Sequence, residues 1–138
     1  MHHPETSSNA SSSLAAADTI KSLFYHHEFK AGILTVRPTG PNLGQREAAI
    51  LNSEVGAMIA GLGPKLRTLL IDLSDIHAMA SFGLGVCIEL RNAAHARGAR
   101  TLAYGLSDEL SALFRLMKVE RLYTIVRTTK ELSKALAA

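Results

Sequence analysis

The residues best placed to do chemistry fall in one short run, Asp72-Leu73-Ser74-Asp75-Ile76-His77-Ala78-Met79-Ala80-Ser81. Ser, His and Asp are the parts of a hydrolase triad, and Asp72 with Asp75 is raw material for a carboxylate pair. The setting supports neither. Ser81 lies in Met79-Ala80-Ser81-Phe82-Gly83, which lacks the first glycine of a nucleophile elbow. Triad members also ordinarily come from separate elements rather than one local cluster. Asp72 reads as a strand end and Asp75 as a turn residue. What the run does offer is a hydroxyl where a helical pattern begins. Ser81 is expected just before that helix, as the N-cap that accepts from backbone N–H groups of the first turn. Dipoles converge at such a point and favour an anion. Two roles for Ser81 follow, regulated phosphorylation or capping alone, and on spacing alone capping is the simpler.

Other chemistries lack their residues. Gly83-Leu84-Gly85 is followed at the third fingerprint position by Ile88, so no dinucleotide loop is formed, and no Walker phosphate loop exists. The lone cysteine, Cys87, makes neither an internal disulfide nor a thiolate metal site, and is expected as a small buried hydrophobe. Six histidines are scattered, and the neighbours His26 and His27 would point to opposite faces of a strand. The expectation is a protein with no metal, no cofactor and no enzymatic activity.

Composition narrows the partners. The chain has 138 residues, enough for one domain with a real core, and is 47% hydrophobic and 20% charged. No apolar run approaches the roughly 20 residues of a membrane span. The beginning lacks the apolar stretch of a signal peptide, which leads to an expected cytoplasmic location. Fifteen Lys and Arg against twelve Asp and Glu give +3, spread from Lys21 to Lys134 without a run of five. That pattern speaks against a nucleic-acid arm and describes a solvated basic surface or attraction to an acidic protein.

The elements that must position Ser81 follow from periodicity. Residues 1–18, rich in Ser, Ala and Asn, are expected as a flexible tail before a domain spanning 19–138. Phe24–Phe29 and Ile33–Val36 read as a hairpin turning at Lys30-Ala31-Gly32, and Pro38–Gly44 as a loop. Gln45–Leu62 is a helix with its apolar stripe at Leu51, Val55, Met58, Ile59 and Leu62, stopped by Gly61, Gly63 and Pro64. A strand at Leu69–Leu73, a helix at Gly83–Arg97 with Gly98 as its C-cap, and a strand at Arg100–Tyr104 come next. Ser107 caps a further helix whose stripe is Leu110, Leu113, Phe114 and Met117. Leu122–Val126 is a last strand, and Thr129–Leu136 a last helix capped by Thr128 or Thr129. Strands separated by helices need crossovers. The fold class is therefore α/β: a mixed, mostly parallel sheet of about five strands with about four helices, its first strand antiparallel.

The run from Ile71 to Gly85, Ile71-Asp72-Leu73-Ser74-Asp75-Ile76-His77-Ala78-Met79-Ala80-Ser81-Phe82-Gly83-Leu84-Gly85, resembles the STAS domain of bacterial anti-sigma factor antagonists. In that family a strand ending in hydrophobic-Asp/Asn-Leu leads to Met-Asp-Ser-Ser/Thr-Gly-Leu-Gly at a helix start. Ala96-Arg97-Gly98-Ala99-Arg100 looks like the family's helix-ending glycine, and Leu110–Val119 like its helix with a Leu-Phe pair. The resemblance runs from about Phe24 to Leu136 and implies the STAS fold. It also implies that Ser81 is the phosphorylated serine, with Asn42, Ala80, Phe82, Gly83, Leu84 and Gly85 forming the partner-binding surface. The implied partner is an anti-sigma serine kinase of the GHKL ATPase type, which the unmodified domain binds so that a sigma factor is freed, with a phosphatase as a possible second enzyme. Two departures stand out. Ala80 replaces the family's Asp and Phe82 its Ser or Thr, and Gly40-Pro41-Asn42-Leu43 replaces the family's acidic Gly-Glu-hydrophobic-Asp loop. These leave a second reading open: a STAS scaffold or sensor that binds a protein, nucleotide or lipid without phosphorylation.

Overall fold

Thr68-Leu69-Leu70-Ile71 carries no strongly polar side chain on either face, the pattern of a strand covered on both sides. In the computed structural model, which describes residues 23–137, these residues are buried and form the middle of the sheet. The strands are β1 (Tyr25–Lys30), β2 (Ile33–Pro38), β3 (Asn42–Leu43), β4 (Thr68–Asp72), β5 (Ala78–Met79), β6 (Arg100–Tyr104) and β7 (Thr124–Val126). The helices are α1 (Gln45–Leu62), α2 (Ser81–His95), α3 (Asp108–Leu116) and α4 (Thr129–Ala137). The main sheet runs β1-β2-β4-β6-β7, with β1 antiparallel to β2 and every other pairing parallel. This is the STAS architecture expected from the sequence.

Each face of the sheet has its own core. Leu34, Val36, Leu69, Ile71 and Ala103 pack with Leu51, Val55 and Ile59 of α1 and Leu84, Cys87 and Leu90 of α2. On the other face Leu70, Leu102 and Val126 meet Leu132, Ala135 and Leu136 of α4. The Tyr123 hydroxyl donates to the Cys87 carbonyl at 2.6 Å and so ties the segment before β7 to the middle of α2. Burial pushes the Cys87 thiol up to about 12, so it stays protonated and serves as packing.

Several boundaries differ from the sequence reading. β1 begins at Tyr25 rather than Phe24, and β7 begins at Thr124, since Leu122 closes a single 3₁₀ turn (Val119–Arg121). Met117 is not a core residue: α3 ends at Leu116, Lys118 turns left-handed (φ 62°), and Met117 is 55% exposed. Thr128 is the cap of α4, its hydroxyl accepting from the Glu131 N–H at 3.1 Å. The expected tail over 1–18 and the domain start at 19 lie outside the described residues.

Candidate functional site

In a parallel sheet the loops after the strands gather at one end, where the following helices present their N-termini. Here the loops after β2 and β4 are joined to each other. β3 pairs in parallel with β5, matching Asn42 to Ala78 and Leu43 to Met79. The Pro41 carbonyl accepts from the N–H groups of His77 (2.7 Å) and Ala78 (3.3 Å), and the Leu43 carbonyl from that of Ala80 (3.2 Å). Glycine makes this approach feasible. A methyl group on Gly40 would overlap the Asp75 carbonyl, and one on Gly83 would stand 2.7 Å from Met79 Cγ. The two loops therefore form a single ledge beside the start of α2. Two-residue strands carry no periodic signal, so this pairing is not legible in the sequence.

Ser81 stands exposed on that ledge, but not as the N-cap. The helix begins two residues earlier than expected, so Ser81 is its first residue and Ala80, in extended conformation (φ −73°, ψ 162°), is the cap. Ala80 has no side-chain acceptor, and no side chain caps the first turn. The dipole end of α2 is thus open next to the Ser81 hydroxyl, a setting that favours added negative charge.

The other expected contact residues divide. Asn42 and Ala80 are exposed, Phe82 is 45% exposed, and Gly85 is half-buried. Gly83 and Leu84 face inward: Gly83 is buried against Met79 and Leu43, and Leu84 is 5% exposed within the main core. The expectation that these two present themselves to a partner is corrected by their burial; they hold the helix start in place. Leu84 accordingly forms no surface patch with Phe82.

The triad components are not assembled. The Asp72 carboxylate accepts from the backbone N–H of Ser74 at 3.0 Å and from its hydroxyl, closing the turn after β4. Asp75 pairs at the surface with Arg37 of β2 at 3.4 Å. Among the described residues no hydrogen bond links Ser81, His77 and Asp72, and no group of three His, Cys, Asp or Glu is arranged to hold a metal. No described helix is long and apolar enough to cross a membrane. The arrangement offers an accessible hydroxyl and an uncapped helix start, with the exposed Asn42 on the paired strand of the same ledge. It suits acceptance of a phosphoryl group from an enzyme that brings its own catalytic base.

Comparison with known proteins places the chain. Curated proteins give no match. Among solved structures, an anti-sigma factor antagonist from Thermotoga maritima described as putative is similar over 86% of this chain and 97% of its own, at 17% identity and a TM-score of 0.71. The Bacillus cell fate determinant SpoIIAA in its phosphorylated form matches over 83% of this chain and 99% of its own (15% identity, TM-score 0.66). The STAS domain of a SulP transporter from Vibrio cholerae matches over 80% and 85% (17% identity, TM-score 0.63). The profile of the STAS domain covers residues 10–132. The chain belongs to the STAS domain family.

Proposed function

We infer that this STAS domain is an anti-sigma factor antagonist working in a partner-switching pathway, in the cytoplasm. The observation that carries the reading is an exposed Ser81 at the first position of a helix whose N-terminus is uncapped. The unmodified ledge, with Asn42, Ala80 and Phe82 outermost and Gly85 at its margin, docks on an anti-sigma serine kinase of the GHKL ATPase type. Phosphorylation of Ser81 places about −1.5 to −2 charges in the middle of that contact, and the complex separates. The added charge is tolerated within the domain because the α2 dipole faces it. A phosphatase would restore the binding form. The test is to incubate the protein with the kinase and ATP and map phosphate by mass spectrometry. Modification at Ser81, absent in Ser81→Ala, is the expected result, and an unmodified Ser81 overturns the reading.

Ala80 and the half-exposed Phe82, at the places of the family's Asp and Ser/Thr, favour a second reading. In it the same ledge binds its partner without phosphorylation, as a scaffold or sensor. Ser81→Asp separates the two: partner affinity falls under the first reading and stays level under the second.

A further inference from the structure

The two edges of the main sheet are unlike. β7 is three residues long, whereas β1 runs six residues in unbroken register with β2, without a proline or a bulge. No described strand lies on its other side. Edges of that length are ordinarily shortened, bulged or covered, because their open main-chain groups template a further strand. We propose that β1 is a self-association edge: the β1 of a second copy of this chain adds to it, antiparallel, about a two-fold axis at His27. The two main sheets then become one, by an association independent of Ser81.

Which groups face outward follows from the hairpin. The Thr39 N–H donates to the Phe24 carbonyl at 2.9 Å, one step beyond the Tyr25–Pro38 pair. Hydrogen-bonded pairs alternate along an antiparallel ladder, so His26, Glu28 and Lys30 turn their main chains toward β2, and His27 and Phe29 turn theirs away. A two-fold axis normal to the sheet keeps each side chain on its own face. A residue therefore meets either itself or one an even number of places away. Charge then selects the centre. Only His27 and Glu28, as centres, pair five of the six strand residues; His26 and Phe29 pair three. Centring on Glu28 sets that carboxylate against its own copy and His26 against Lys30. Centring on His27 sets His26 against Glu28 of the second copy, twice by symmetry, and Tyr25 against its Phe29.

The α1 side of this edge is apolar. His27, Phe29 and Leu34 with Met58, Gly61 and Leu62 of α1 line a groove of about 200 Å³, and Phe29 is 40% exposed. A Cβ on Gly61 would meet nothing within the domain, so internal packing does not require the groove to stay open. Two copies joined at His27 bring their grooves side by side across the axis and take both Phe29 rings out of water.

Sedimentation equilibrium of the full chain from about 5 µM to about 500 µM tests this, a range in which an interface of modest area is populated. A concentration-dependent dimer is the expected result. His27→Pro removes an outward N–H, which an edge strand tolerates, so it should leave the fold intact and weaken association at least about tenfold. Glu28→Lys opposes His26 of the second copy at two symmetric places and should weaken the dimer about tenfold. Adding His26→Glu restores opposite charges at both places and recovers it. Loss with the first change and recovery with the second occur together only for the His27 centre. Circular dichroism checks the fold of each variant, and should His27→Pro melt early the charge exchange decides. A full chain that stays monomeric at about 500 µM overturns the proposal, whether residues 1–22 or nothing covers β1. So does a dimer that folded His27→Pro leaves intact, or one in which the charge exchange fails to show loss and recovery.

Discussion

The two ends of the sheet both favour negative charge, and they do so by opposite routes. At the Ser81 end the attraction comes from the backbone: α2 starts without a capping side chain, and Arg37 and Asp75 pair with one another at the surface. At the other end three side chains, Arg67, Arg97 and Arg100, line one cavity whose lining includes no carboxylate. A backbone field acts over about one helical turn and suits a group attached covalently on the spot. The rigidity differs as well. The Ser81 ledge is fixed by interloop hydrogen bonds and two glycine contacts, whereas Arg97 is anchored through its backbone and Arg67 through its backbone and the stem that lies over Gly32.

This contrast breaks most readily at Leu84. Leu84→Ala empties a buried position under the ledge and should cost about 3 kcal/mol in urea denaturation, an effect far above that of any exposed neighbour. A loss below about 1 kcal/mol would mean that the ledge is not anchored to the core. Ser81→Asp comes next. Under the phosphorylation reading it should weaken kinase binding at least about tenfold, roughly 1.4 kcal/mol, as calorimetry measures. Ala80→Asp supplies the missing cap and should raise stability by about 1 kcal/mol, seen as a higher melting temperature. Under the phosphorylation reading it should also quicken modification of Ser81, because the substitution restores the family's acid. The smallest effect is expected for Arg37→Ala, which removes an exposed ion pair worth less than about 0.5 kcal/mol. A larger loss would show that the Asp75 turn depends on that pair.

How far the sequence could be read depended on the length of each signal. α1 occupies Gln45–Leu62 as expected, since five apolar positions in helical register end at Gly63 and Pro64. β6 and the caps Ser107 and Thr128 were likewise legible, the Ser107 hydroxyl accepting from the Leu110 N–H at 3.2 Å. The start of α2 was placed late because Gly83 looks like a helix boundary, whereas it is a buried contact point inside the first turn. Met117 continued the stripe of α3 on paper, but the helix stops one residue short of it. The ledge was half visible: Ser81 and Asn42 were picked out, while the β3–β5 rung that brings their loops together carries no pattern in two residues. The arginine end was not legible at all. Arg67, Arg97 and Arg100 are brought together only by parallel pairing of β4 and β6 across the whole of α2.

The rung between Asn42–Leu43 and Ala78–Met79 has a consequence for speed. Loops stitched in this way shift together or not at all, so a modification on Ser81 has no separate flap to swing. Under the phosphorylation reading, release of a docked enzyme would then be governed by local repulsion rather than by slow rearrangement, and the switch would turn over as fast as phosphate is added and removed.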